Sequence, residues 1–136
     1  MSGAGDLIML LGVFAGKRAE PSTTVLGLAK PVVPVLMEAL RNPDRGVRAN
    51  AAFILGTTGL GMGPDAAVAV PSLAEALKDP DAVVRASAAG ALRMIGREAG
   101  DAIPALTAAL KDNDKKVRDA ASKALKSIQR DQKRKP

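Results

Sequence analysis

Residues 71–96 read PSLAEALKDPDAVVRASAAGALRMIG, and this stretch decides the fold. Pro71 stands where a helix loses nothing by lacking an N–H, in its first turn. Leu73 and Leu77 then fall four residues apart, on one face. The turn Lys78-Asp79-Pro80-Asp81 breaks that helix and places Asp81 at the N-cap of a second one. A carboxylate there accepts backbone N–H groups and faces the positive end of the helix dipole. In the second helix Val84, Ala88, Ala91, Leu92 and Ile95 span about 100° of the helical wheel, a single buried stripe. Gly96 ends it. The stretch predicts two helices joined by a tight turn.

The same pattern occurs twice more. Residues 34–59 read PVLMEALRNPDRGVRANAAFILGTTG and residues 104–129 read PALTAALKDNDKKVRDAASKALKSIQ, aligning without gaps. Leu36 and Leu40, and then Leu106 and Leu110, repeat the first-helix pair. Asp44 and Asp114 repeat the N-cap. Arg48, Arg85 and Arg118 each follow the valine of the second helix. The extra residues between units one and two fall around Gly61, Met62, Gly63 and Pro64, where lengthening a connection costs least. In the first unit the stripe ends on Thr58 and is weaker, with Gly59 as the expected C-cap. Self-similarity at this period marks a stack of supersecondary units.

The shared block P-x-L-x-x-A-L-x-D-x-D-x-x-V-R-x-x-A-A-x-A-L-x-x-I-G resembles the HEAT repeat, and more narrowly the short HEAT-like repeats of phycobilisome lyases and many scaffold proteins. The ankyrin signature is absent, and tetratricopeptide repeats need Trp and Tyr positions that this chain does not fill. The resemblance implies an all-α, right-handed α-α superhelix. It would comprise an N-terminal helical cap or degenerate repeat (1–30), three repeats (about 31–63, 64–100 and 101–130) and a basic tail (131–136). It also implies a structural ladder in which Arg48, Arg85 and Arg118 pair with turn aspartates of neighbouring units, from the set Asp44, Asp81 and Asp114. Bidentate arginine–carboxylate geometry suits that task.

Composition narrows the chemistry. The chain has 136 residues, 47% of them apolar, and 26 are alanine. Alanine favours helix and lets backbones approach closely. There is no Cys, His, Trp or Tyr and there are two Phe. This removes thiol nucleophiles, imidazole acid–base chemistry, thiolate or imidazole metal sites, and aromatic platforms for base stacking. Neither phosphate-loop nor EF-hand spacing occurs. The aspartate pairs 79/81 and 112/114 are explained by capping turns. The expectation is no catalytic residue, no metal and no cofactor.

Charge is segregated. Residues 1–110 hold ten basic and ten acidic side chains; residues 111–136 hold ten basic and four acidic, the whole net charge of +6. The longest apolar run, 7–16, is about half a membrane span. Its flanking charges are reversed from those of a signal peptide, so a cytoplasmic location is expected. Residues 7–14 and 23–30 are expected to be helices.

Opposite the buried stripe, the second helices carry Ala49, Phe53, Gly56 and Leu60, then Ala86, Gly90, Arg93 and Arg97, then Asp119, Lys123, Lys126 and Arg130. By the resemblance this stripe lines the concave side, and it passes from apolar to basic. Phe53, Leu60, Arg93, Arg97, Lys123, Lys126 and Arg130 are therefore the candidate partner-binding residues. The expected function is a non-enzymatic protein–protein interaction or scaffold module that holds a protein or acidic peptide. Two alternatives stand beside it. One is a phycobilin lyase-like chromophore-attachment subunit. The other is electrostatic nucleic-acid binding through the C-terminal end.

Overall fold

The computed structural model describes residues 13–14, 17–18 and 32–134. The chain divides into two compact units, Met1–Val32 and Val33–Pro136.

In the first unit, β1 (Val13–Phe14) pairs antiparallel with β2 (Lys17–Arg18), Val13 opposite Arg18 and Phe14 opposite Lys17. This corrects the expected helix 7–14 at its C-terminal end. A β-branched and an aromatic residue suit a strand, and apolar content alone does not set the period. The remainder of that helix, and the helix expected at 23–30, lie outside the described residues.

The second unit is built from helix pairs. α1 (32–39) precedes α2 (Arg45–Gly59); α3 (Val70–Ala76) precedes α4 (Ala82–Ile95); α5 (Ile103–Ala109) precedes α6 (Lys115–Lys133). The 3₁₀ segments Gly63–Ala69 and Gly96–Ala102 join the pairs. Pro71 and Pro104 stand in the first turns of α3 and α5. α2 packs on α4 and α4 on α6, while α3 packs on α4 and α5 on α6. The result is an all-α, short HEAT-like solenoid of antiparallel helix pairs.

The core runs through the stack and is largely alanine and leucine. Val84, Ala88, Ala91, Leu92 and Ile95 are all buried, as are Val117, Ala121, Ala124, Leu125 and Ile128. In α2 only part of the stripe is covered: Ala51 and Leu55 are buried, whereas Val47 and Ile54 are exposed. Their counterparts in α4 and α6 are closed off by a preceding second-layer helix.

Small residues set the α2–α4 distance. At Gly56 a Cβ would lie 2.7 Å from the Ala91 Cα, and at Gly59 it would lie 2.7 Å from Ile95 Cγ1. Two expectations are corrected here. Gly56 is buried on the packed side, not on the outward stripe. Gly59 is not a C-cap: the helix passes through it to Leu60, which keeps right-handed φ and ψ. Gly96 does end α4, with φ +72°. α6 continues through Lys133, so residues 131–133 belong to a helix and not to a tail.

Candidate functional site

Each inter-helix turn is organised by two aspartates or their equivalents, with separate tasks. Asp44, Asp81 and Asp114 are the N-caps of α2, α4 and α6. Each accepts two backbone N–H groups, for Asp81 those of Val83 and Val84. Burial works against the charged form of Asp81. The Val83 N–H and the Arg45 guanidinium, 3.2 Å away, outweigh it and hold the carboxyl below its usual range.

The ladder uses the other aspartate of the turn. Arg48 Nε donates to Asp79 Oδ2 at 2.8 Å and Nη2 to Oδ1 at 3.1 Å. Arg85 repeats this on Asp112, at 2.8 and 3.0 Å. The expected acceptors Asp81 and Asp114 are thus corrected to Asp79 and Asp112, two residues earlier. Each N-cap carboxylate is held by its own helix end, and the second oxygen of Asp81 is taken by Arg45 of the preceding unit. Asp79 and Asp112 each accept one local N–H, from Asp81 and Asp114, and direct the remaining lone pairs at the preceding unit.

Each ladder arginine also staples its own turn. Nη1 of Arg48, Arg85 and Arg118 donates at 2.8 Å to the carbonyls of Asn42, Asp79 and Asp112 respectively. The Arg48 and Arg85 pairs are mostly shielded, with side chains 10–16% exposed. The side-chain hydrogen bond from Arg85 is the main cause that lowers the Asp112 pKa, and reciprocally Asp112 raises that of Arg85. This ladder fixes register between units.

The binding candidates lie on the other side. Phe53 and Leu60 are exposed, 59% and 63%. Together with Gly90, Arg93 and Met94 they line one groove, to which α6 contributes Ser127 and Asp131. Gly90 and Arg93 continue into an adjoining groove with Lys116, Asp119 and Lys123. Asp119 is paired with Lys115 at 2.9 Å, which lowers its pKa. Sequence reasoning therefore brings Phe53, Leu60, Arg93 and Lys123 to connected grooves, but misses Met94, Lys116, Ser127 and Asp131. Met94, Lys116 and Ser127 flank the outward stripe on the wheel, so a wider arc would have included them, whereas Asp131 lies beside the buried stripe.

The other three candidates are placed differently. Arg97 is half-buried in the 3₁₀ segment, and its carbonyl accepts from Gln132 Nε2 at 3.4 Å. Lys126 is exposed and lines neither groove. Arg130 is exposed, 3.6 Å from Asp131 Oδ1 and 3.4 Å from Ser127 Oγ.

Among the described residues no cluster of three or more acidic side chains is placed to hold a metal ion. No described helix is long and apolar enough to cross a membrane. No curated protein matches the chain significantly. A family model does match: that of HEAT repeats, over residues 70–136. The match covers α3 to α6, the units whose ladder, caps and alanine stripe are described above. Residues 70–136 are therefore assigned as HEAT repeats, two helix pairs of a helical-repeat protein-interaction module.

Proposed function

We propose that the module binds a protein partner along the connected grooves of α2, α4 and α6, and that the bound element is an amphipathic helix or peptide with acidic side chains at one end. One observation carries this reading: Phe53, Leu60 and Met94 line a groove whose wall at Arg93 continues to Lys116 and Lys123. An apolar floor with cations at one end matches helix-in-groove recognition. Apolar contact supplies the binding area, while the cations set direction and speed encounter.

The test is affinity capture from native lysate by the full chain, read by mass spectrometry and by absorbance of the eluate. The chain has no Trp or Tyr, so bound chromophores stand out. A protein captured by the native chain and lost with Arg93→Glu plus Lys123→Glu supports the proposal. Capture unaffected by those reversals and by Phe53→Ala overturns it. Salt-sensitive absorbance at 260 nm would favour the nucleic-acid alternative, and a visible band the bilin alternative.

A further inference from the structure

We propose that the notch between units two and three, at Ala82 and Asp114, receives an arginine side chain of the bound partner. The inference rests on the reading of the connected grooves as a peptide-binding surface, and it names a further residue that the peptide brings.

The two interfaces between units differ at one position. At the first, Arg45 follows the α2 N-cap and crosses to the next unit, where its Nη1 donates to Asp81 Oδ2 at 3.2 Å. Asp81 Oδ1 meanwhile accepts the Val83 and Val84 N–H groups. At the second interface Asp114 repeats the cap, its Oδ1 accepting from Lys116 and Val117. The residue equivalent to Arg45 is there Ala82, which carries no donor. Among the described residues Asp114 Oδ2 accepts no hydrogen bond.

Where Arg45 spans the first interface, the second is open. Ala82, Val83 and Ala86 of α4 face Asp114 and Lys116 of α6 across a notch of about 670 Å³. Val83 is 64% exposed and forms, with the two alanines, an apolar wall on which the methylenes of a long side chain can lie. Lys115, on the same rim, is paired with Asp119 at 2.9 Å. The notch opens on both grooves: it shares Ser87 with the one that holds Phe53, and Lys116 with the one that holds Lys123.

These neighbours specify the occupant. Arg45 shows that a guanidinium reaches the second oxygen of an N-cap carboxylate while the first keeps its helix end. Arginine suits the place better than lysine, because its planar fork holds its donors in fixed directions. Lys116 repels a lone cation, so the arginine enters next to acidic residues that meet Lys116 and Lys123. The lining runs along α4 from Met94 through Arg93 to Ala82, roughly 18 Å at a helical rise of about 1.5 Å per residue. The partner segment therefore presents apolar, acidic and arginine side chains in that order, read in either chain direction.

The probe is a displayed library of random peptides, each long enough for roughly four helical turns, panned on the full chain. The expected peptides carry the apolar, acidic, arginine order, and synthetic copies are titrated into the chain by calorimetry. Replacing their arginine by alanine should weaken binding on the order of fivefold. Asp114→Asn in the chain keeps the cap and should cause the same loss. So should Ala82→Arg, which supplies the arm from within the chain as Arg45 does at the first interface. Neither variant should add to the loss when the peptide arginine is already alanine. Peptides that lose binding with Arg93→Glu plus Lys123→Glu, yet bind equally with arginine or alanine or equally to the native and Asp114→Asn chains, overturn this inference and leave the groove reading standing. Selection of no peptide, or of peptides indifferent to those reversals, overturns both.

Discussion

Arg85 reaches out of one repeat and holds Asp112 of the next through two hydrogen bonds of 2.8 and 3.0 Å, while its Nη1 closes its own turn on the Asp79 carbonyl. One side chain thus links the local turn to the repeat interface. Asp112→Ala removes the acceptor and leaves a shielded guanidinium unpaired. The expected cost is about 2 kcal/mol, read as a lower urea midpoint by circular dichroism at 222 nm. Unchanged stability would mean that alanine packing alone sets the register.

The same pair makes stability depend on acid. Arg85 holds the folded Asp112 carboxyl below its ordinary value. The unfolded chain therefore binds the proton more readily. The contribution is fully present above the unfolded carboxylate pKa of about 4 and is lost as pH falls through the lower folded value. Asp112→Asn should flatten that part of the pH–stability curve, below about pH 4. A curve parallel to that of the native chain would contradict the assignment.

The caps are separable from the ladder. Asp114 accepts from the Lys116 and Val117 N–H groups at 2.8 and 3.2 Å and makes no ion pair with a ladder arginine. Asp114→Ala is expected to cost about 1 kcal/mol, and Asp114→Asn much less, because asparagine caps nearly as well. Thermal unfolding of the two variants checks the ranking.

Two glycines of the second-layer helices should respond with opposite signs. At Gly90 a Cβ meets nothing within 4 Å, so Gly90→Ala should stabilise by up to about 1 kcal/mol through helix propensity. At Gly56 the same Cβ would sit 2.7 Å from the Ala91 backbone. Gly56→Ala should then destabilise, since overpacking at about 1–3 kcal/mol outweighs the propensity gain. Urea denaturation of both variants, run side by side, tests the α2–α4 approach.

Much of this molecule is written locally. The Pro-Leu-Leu first helices, the aspartate caps and the Val-Ala-Ala-Leu-Ile stripe act over three or four residues, so a linear reading finds them, and their repetition yields the solenoid. Gly96 as a C-cap was legible for the same reason. Apart from the strand at Val13–Phe14, what the linear reading assigns wrongly is non-local. Which of two aspartates in a turn meets the neighbouring arginine depends on which carboxylate its own helix has already claimed. Whether Gly59 ends a helix or admits Ile95 depends on a neighbour 36 residues away. Val47 and Ile54 carry the pattern of buried residues but lie at the stack's leading face, so burial is a property of position in the array and not of the motif. The groove likewise exists only once α2, α4 and α6 lie side by side. Local pattern is enough for the second-unit helices, their caps and the repeat. Tertiary structure decided the partners across repeats, because those contacts are selected by competition for hydrogen bonds and space among residues that no local pattern relates.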